Sequence, residues 1–179
     1  MKLYNFSQIR HYGRGSLYSE RRVLGYSAEE MFTVVSQVER YSEFVPWCTS
    51  SKVTSTSLCG LRADLVIGFP PLIKESYTSD VTMFEPNLVT AVSNDLKLFT
   101  FLKTVWKFDS QLGVPDVARS CALDFAVHFK FRSPIYAQFS SLFFDEVVKR
   151  NVNAFLDEAN KRFGPESIPR RKPQVMMCK

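Results

Sequence analysis

Alternating apolar and polar side chains indicate a series of strands between residues 18 and 131. The pattern is clearest from Ala118 to Phe131, where one face is apolar and the other carries Ser120, Asp124, His128 and Lys130. This alternation predicts a half-buried antiparallel strand whose polar face meets solvent. Six further strands are predicted at 18–26, 52–57, 61–69, 75–84, 88–93 and 99–108.

Two short helices are predicted between the first two strands. Ser27 is followed three residues later by Glu30, which is the spacing of a capping box, in which each side chain bonds the other residue's backbone amide. A second helical segment runs through Phe44 and ends before Pro46, because proline disfavours helix in the residue that precedes it. The segment 44–48 is therefore predicted to form a rigid apolar corner.

One long helix is predicted from Pro134 to Phe163. Ser133 before it suits an N-cap, and Gly164-Pro165 after it suits a helix end. The second half of this helix has one apolar stripe, whereas the first half carries apolar side chains in nearly every direction. The first half is therefore either a fully buried helix end, or a lid that closes over an apolar ligand or touches lipid.

The predicted order is one strand, two short helices, six strands and one long helix. Strands joined by short turns mostly pair antiparallel, and 179 residues are enough for one domain with a sizeable core. We therefore expect an α+β domain in which a curved sheet wraps around the terminal helix. The expected boundaries are a basic amino-terminal segment at 1–17, resembling a targeting remnant, the domain at 18–164 and a basic tail at 165–179.

The composition favours an apolar interior that encloses a cavity. Hydrophobic residues make up 45% of the chain and 16 residues are phenylalanine, which is more than packing alone usually requires. The net charge of +5 is concentrated near the two ends, which suits an anionic membrane surface, RNA or a targeting role as well as a solvated tail.

Any membrane association is expected to be peripheral, because no apolar run approaches the ~20 residues that span a bilayer. Leu72 and Ile73 beside Lys74 are the candidates for contact with a bilayer. The same residues also suit a loop that folds back on the core.

Residues with catalytic chemistry are sparse. The four cysteines have neither CxxC spacing nor the density of a secreted scaffold, which predicts free thiols in a reducing compartment. No nucleophile elbow, zinc-binding histidine pair, phosphate loop or dinucleotide glycine motif is present. Asp124 and His128 could act in catalysis only if their face turned inward, and the strand pattern turns it outward. We expect no catalytic residue, no metal and no catalytic cofactor.

Several segments resemble one protein family. They are YSERRVLGYSAEEM at 18–31, VERYSEFVPWC at 38–48, IGFPPLIKESYTSDV at 67–81, SPIYAQFSSLFFDEV at 133–147, and the spacing of Phe99, Leu102, Trp106 and Phe108. Together they resemble the mitochondrial coenzyme Q-binding proteins of the COQ10 type, a group within the START-like, polyketide cyclase-type helix-grip domains. The resemblance covers residues 18–164 and departs at Thr104 and Val105, where relatives usually carry Asn-Glu before the tryptophan.

The resemblance implies a helix-grip fold, in which a curved seven-stranded antiparallel sheet surrounds a long carboxyl-terminal helix over an apolar tunnel. Each residue that it places around the tunnel also suits an ordinary core. The implied lining consists of Phe44, Val45, Pro46, Trp47, Leu65, Ile67, Phe69, Leu102, Trp106, Phe125, Val127 and Phe129, with Phe139, Leu142 and Phe143 as a lid.

The resemblance also implies a ligand and a location. The ligand would be ubiquinone or a related isoprenoid lipid, which the protein would deliver or present as a lipid chaperone for respiration and quinone biosynthesis. The location would be the matrix side of the mitochondrial inner membrane, as a peripheral protein. Its further partners would be quinone-biosynthesis or respiratory complexes, and nucleic acid is not an expected partner.

Two other functions remain open from the sequence. A basic START-like domain can bind ribosomes or RNA, which requires lysine and arginine side chains on one face and binding that weakens steeply with salt. A cyclase-type enzyme requires titratable groups inside the cavity.

Overall fold

An antiparallel sheet of eight strands and one long helix account for most of the fold. The structure is a computed structural model that describes residues 15–69, 73–93 and 97–176. At residues 69, 73 and 135–146 it describes the backbone but not the side chains. The helices are α1 (Ala28–Ser36), α2 (Tyr41–Phe44) and α3 (Pro134–Phe163). The strands are β1 (Ser16–Leu24), β2 (Cys48–Ser57), β3 (Gly60–Phe69), β4 (Ile73–Phe84), β5 (Leu88–Ser93), β6 (Phe99–Asp109), β7 (Cys121–Phe131) and β8 (Gln174–Val175).

The strands from β2 to β7 lie side by side in chain order, and β1 pairs with β7. Each of these pairs is antiparallel, as short connections require. The predicted α+β class, with a curved antiparallel sheet and a long carboxyl-terminal helix, is confirmed. The seven predicted strands are present, although β2 begins at Cys48, four residues earlier than the prediction.

The sheet has one strand more than the seven that we expected, because the carboxyl-terminal tail returns to it. The two residues of β8 pair with β1, and the amide of Met176 donates to the carbonyl of Ser19 at 2.9 Å. Nearer the helix, the amide of Ser167 donates to the carbonyl of Gly25 at 2.9 Å, and a Cβ atom at Gly25 would lie 2.8 Å from that amide nitrogen. The tail therefore covers polar backbone groups that the outer edge of β1 would otherwise leave unpaired.

The predicted capping box at the start of α1 is confirmed. The amide of Glu30 donates to the hydroxyl of Ser27 at 3.2 Å, and the amide of Ser27 donates to the carboxylate of Glu30 at 3.0 Å. Arg119 also donates to this carboxylate at 2.9 Å, and it donates to the carbonyl of Phe163 at 2.8 Å. One guanidinium therefore links the start of α1 to the end of α3.

The long helix has the bounds that the sequence predicts. It begins at Pro134 and ends before Gly164, whose φ of 81° lies in the left-handed region that glycine adopts without strain. The predicted side-chain cap is wrong, because Ser133 makes no capping hydrogen bond. Among the helices of the described ranges, none combines the length and apolar character that a membrane crossing needs.

The polar face of β7 is buried, which corrects the prediction that it meets solvent. Asp124 is only 2% exposed and accepts two hydrogen bonds from Arg21, at 2.6 and 2.8 Å. His128 is 8% exposed, and its ring lies 4.5 Å from the ring of Phe101. Burial, followed by the charge of Lys103, lowers the pKa of His128. Strands flank β7 on both sides, so long side chains from its neighbours cover its outer face.

The inner face of β1 carries a buried ion pair. Glu20 is 0% and Arg22 4% exposed, and the Nη2 atom of Arg22 lies 2.9 Å from the carboxylate of Glu20. The hydroxyl of Tyr18 donates to the same carboxylate at 2.6 Å, and the guanidinium of Arg22 donates to the side chain of Asn153 on α3 at 3.1 Å. This polar cluster joins β1 to α3 beside the apolar core.

Candidate ligand-binding site

A cavity of about 340 Å³ lies between the inner face of the sheet and α3. Its volume is at the lower end of the range for small-molecule sites, roughly 300–1,000 Å³. Apolar and aromatic side chains make up most of its wall. The described lining residues are Val38, Tyr41, Val45, Pro46, Trp47, Cys48, Leu65, Ile67, Tyr77, Ser79, Val81, Val89, Ala91, Phe99, Leu102, Thr104, Trp106, Phe125, Val127, Phe129, Phe131, Val147, Val148, Asn151 and Phe155.

Two central strands supply facing pairs of lining residues. Alternate residues of a strand point to the same side of a sheet, so alternate positions in the middle of β6 and β7 reach the cavity. The resulting cross-strand pairs are Trp106 with Phe125, Thr104 with Val127, and Leu102 with Phe129. Five of these six residues were predicted to line a tunnel, and the structure brings them together.

The apolar corner between α2 and β2 forms a second wall. Val45, Pro46 and Trp47 all line the cavity, as the resemblance implied. Trp47 has a φ of 64°, a left-handed conformation that is uncommon for a bulky residue. Its carbonyl accepts a hydrogen bond from the amide of Gly68 at 2.8 Å, which joins the corner to β3.

The structure places Phe44 behind the wall and not in the lining. Its ring packs edge-on against Tyr41 and Phe155, with ring centroids 5.9 and 5.1 Å apart. Phe155 is itself a lining residue, and its centroid lies 4.7 Å from that of Trp106. Phe44 therefore supports the side chains that meet the cavity.

The remaining predicted residues are described to different extents. Leu65 and Ile67 of β3 line the cavity, whereas the side chain of Phe69 lies outside the described residues. The predicted lid residues Phe139, Leu142 and Phe143 belong to α3, and their side chains also lie outside the described residues.

Several polar lining residues were not identified from the sequence. Tyr41 and Tyr77 lie in segments whose apolar neighbours dominate the pattern, and the hydroxyl of Tyr41 donates to the carbonyl of Val35. Asn151 could have been noticed, because it lies at helical spacing between Val148 and Phe155 on the apolar side of α3.

The titratable groups of the described lining stay protonated at neutral pH. Burial raises the pKa of Tyr41 and of Tyr77 above the ordinary tyrosine value. It also raises the pKa of the Cys48 thiol, and a backbone hydrogen bond at Ser50 lowers that pKa by less. None of the described lining residues is Asp, Glu, His, Lys or Arg.

Asp124 and His128 are not in the described lining, so the prediction that their face turns away from the cavity is confirmed. In the part of the chain that the structure describes, no group of three or more His, Cys, Asp or Glu residues is placed to hold a metal ion. Cys48, Cys59 and Cys121 are free thiols, as predicted, and Cys178 lies outside the described residues.

A sheet that closes on a long helix, with an apolar cavity between them, is the architecture of the helix-grip domains. The chain belongs to the polyketide cyclase/dehydrase and lipid transport family, whose model matches residues 24–156. Several relatives of the chain are named for coenzyme Q binding.

Two such relatives come from animals. The Xenopus laevis protein named coenzyme Q-binding protein COQ10 homolog B, mitochondrial, is 45% identical over 85% of this chain and 61% of that protein. The Drosophila melanogaster protein named coenzyme Q-binding protein COQ10, mitochondrial, is 42% identical over 84% of this chain and 61% of that protein. The chain therefore spans 61% of the length of each of these two relatives.

Other similar proteins have names that describe different functions. The Pseudomonas aeruginosa protein named ribosome association toxin RatA is 30% identical over 79% of this chain and 94% of that protein. The solved structure of the Zhui aromatase/cyclase from Streptomyces sp. R1128 matches with a TM-score of 0.70, over 83% of this chain and 96% of that chain. At 13% identity the second likeness shows the fold alone.

Proposed function

We propose that this protein binds ubiquinone, or a related isoprenoid lipid, in the cavity between the sheet and α3. The observation that carries the proposal is an apolar cavity of about 340 Å³ in a chain 45% identical to a protein named for coenzyme Q binding. A cavity of this size takes a ligand of drug-like dimensions. A quinone ring and its first isoprene units fit that description, and the rest of a long tail extends beyond the cavity.

The protein acts as a carrier or chaperone because its affinity is balanced against that of the bilayer. Burying isoprenoid carbon from water contributes about 0.8 kcal/mol per methylene, so a few isoprene units exceed the roughly 8 kcal/mol of a micromolar complex. A bilayer offers the tail the same apolar surroundings. Transfer from lipid to the cavity therefore changes the free energy little, and such a balance suits delivery or presentation of quinone for respiration and quinone biosynthesis.

The place of action is the matrix side of the mitochondrial inner membrane, where the protein binds peripherally and meets quinone-biosynthesis or respiratory complexes. Support comes from the two animal relatives, whose names include the word mitochondrial. Lys74 is exposed near the start of β4 and suits contact with anionic headgroups. Leu72 and the side chain of Ile73, the other proposed contacts, lie outside the described residues.

Binding, and not catalysis, is what the described lining supports. General acid–base chemistry needs a group whose pKa lies near the working pH. Tyr41, Tyr77 and Cys48 have raised pKa values, so all three remain neutral and none of them serves as a base at pH 7. Among the described lining residues there is therefore no general base of the kind that a cyclase-type reaction needs.

Ribosome binding is the second candidate function, favoured by the 30% identity to the protein named ribosome association toxin RatA. It would rest on the basic surface and not on the cavity. Binding of that kind weakens steeply as salt rises, whereas the occupancy of an apolar cavity does not.

The lipids that remain bound to protein purified from its own cells test the proposed function. We expect a solvent extract to contain ubiquinone or a related isoprenoid lipid, identified by mass spectrometry, in a substantial fraction of molecules. A well-folded sample whose extract contains no such lipid contradicts the proposal. Ribosomal RNA or ribosomal proteins in that sample, removed by a salt wash, would favour the second candidate function.

A further inference from the structure

Asn151 of α3 brings an unpaired polar group into the apolar cavity. Its Oδ1 atom is buried and has no hydrogen-bond partner within the described part of the chain. The lining residues that precede and follow it at helical spacing are apolar, namely Val147, Val148 and Phe155. A buried acceptor without a partner destabilises a fold, so its presence in a cavity indicates that a hydrogen-bond donor arrives with the ligand, such as a hydroxyl of a reduced quinone ring.

Thr104 of β6 is a second polar residue of the cavity lining. The start of β7 and the end of α3 are held together by the hydrogen bond from Arg119 to the carbonyl of Phe163, at 2.8 Å. The helix therefore runs antiparallel to β7 and in the same direction as β6. Its Phe155 ring lies 4.7 Å from that of Trp106 on β6, which aligns the two elements at that level.

Counting back from this contact brings Asn151 level with Thr104. Asn151 precedes Phe155 by four residues, about 6 Å along a helix, and Thr104 precedes Trp106 by two residues, roughly 6.6 Å along a strand. Both line the cavity. The residues paired with Thr104 on the neighbouring strands, Ala91 and Val127, are apolar, and the count places the hydroxyl and the amide at the same level of the cavity wall.

We infer that Asn151 and Thr104 bind the ring of a 1,4-quinone by its two opposed oxygens. The unpaired Oδ1 of Asn151 accepts from one hydroxyl of the reduced ring, and the Thr104 hydroxyl bonds the opposite ring oxygen. A side-chain amide also carries donors, so Nδ2 of Asn151 donates to the carbonyl of the oxidised ring. The pair therefore fixes the ring between the sheet and the helix in both redox forms, while the tail meets apolar wall.

This assignment rests on the proposed function, and it adds the position and the donors of the ring. It predicts selectivity, because a tail that lacks a ring makes no use of either polar group. An isoprenoid hydrocarbon of the same length as the quinone tail should bind less tightly than the quinone.

The test compares a short-tailed ubiquinone with a matching isoprenoid hydrocarbon, using lipid-stripped protein and the Asn151→Leu, Thr104→Val and Asn160→Leu variants. Quinone binding is followed through tryptophan emission, and hydrocarbon binding through displacement of the quinone. Each of the Asn151→Leu and Thr104→Val variants loses one net hydrogen bond to the quinone. Its affinity for the quinone should therefore be about threefold to tenfold weaker. The affinity of both variants for the hydrocarbon should be unchanged.

The control variant is Asn160→Leu. Asn160 is exposed on the same helix, so this variant should bind both ligands as wild type does.

Infrared difference spectra provide a second readout. The carbonyl stretch of the bound quinone should lie at lower frequency in wild type than in Asn151→Leu, because a hydrogen bond weakens the carbonyl bond. Equal quinone affinity and equal carbonyl frequency in wild type and Asn151→Leu would overturn the assignment and leave the proposed function standing. Failure of wild type to bind either ligand would overturn the proposed function itself.

Discussion

Replacing Glu20 with alanine is expected to lower the free energy of unfolding by about 3–5 kcal/mol, the usual effect of removing one partner from a buried ion pair. Glu20 is fully buried and lies 2.9 Å from the guanidinium of Arg22. Without the carboxylate, Arg22 stays buried beside the side chain of Asn153 on α3, to which it donates a hydrogen bond, and the hydroxyl of Tyr18 loses this acceptor. Urea denaturation measures the change through the midpoint and slope of the transition.

The control for this variant is an ion pair on the surface. Arg62 and Asp80 lie 2.6 Å apart with side chains 57% and 48% exposed, and Asp80→Ala should change stability far less, because exposed pairs contribute little. Replacing Glu20 and Arg22 together with apolar residues of similar volume should recover much of the loss. If Glu20→Ala were no more destabilising than Asp80→Ala, the buried pair would not have the structural role assigned to it.

Filling the cavity with Ala91→Phe is expected to weaken quinone binding by about tenfold to fiftyfold. Ala91 lines the cavity beside Thr104, so a phenyl group there occupies space that the ligand needs. Displacing two or three methylenes of ligand contact, at about 0.8 kcal/mol each, gives a change of that size. Stability should not fall with affinity, because an apolar side chain that fills an apolar cavity adds packing contacts.

The matched variant is Val92→Phe, one residue further along β5. Successive side chains of a strand point to opposite faces, and Val92 is not in the described lining. It should therefore bind quinone with wild-type affinity although it carries the same added bulk. Equal weakening in both variants would show that the change acts through the strand and not through the cavity.

Local signals account for the elements that the sequence predicted well. The ends of α3 follow from Pro134 and Gly164, whose backbone preferences act without reference to the rest of the fold. The capping box of α1 is a local motif of the same kind. The strands follow from alternation, which reports one buried face regardless of which strand lies alongside.

Contacts between distant segments were the part that sequence patterns could not supply. Asp124 and His128 are polar residues on an alternating strand, and their burial depends on Arg21 and Phe101 from neighbouring strands. The two residues of β8 are too few to show alternation, so their pairing with β1 left no sequence signal.

The cavity illustrates the same limit. Trp106 and Phe108 lie on one face of β6, two residues apart, and both are buried. Trp106 lines the cavity, whereas Phe108 belongs to the packed core. Alternation shows which residues point inward, but whether they meet space or another side chain depends on the volumes of residues from several elements.

The most direct measurement of the central claim is a fluorescence titration of lipid-stripped protein with a short-tailed ubiquinone. The chain has two tryptophans, and both Trp47 and Trp106 line the cavity, so a quinone ring bound there quenches the whole intrinsic tryptophan emission. We predict saturable quenching that removes most of the emission and approaches one quinone per protein. Quenching that rises linearly with quinone concentration and never saturates, in protein shown to be folded, would contradict the claim that this cavity binds a quinone.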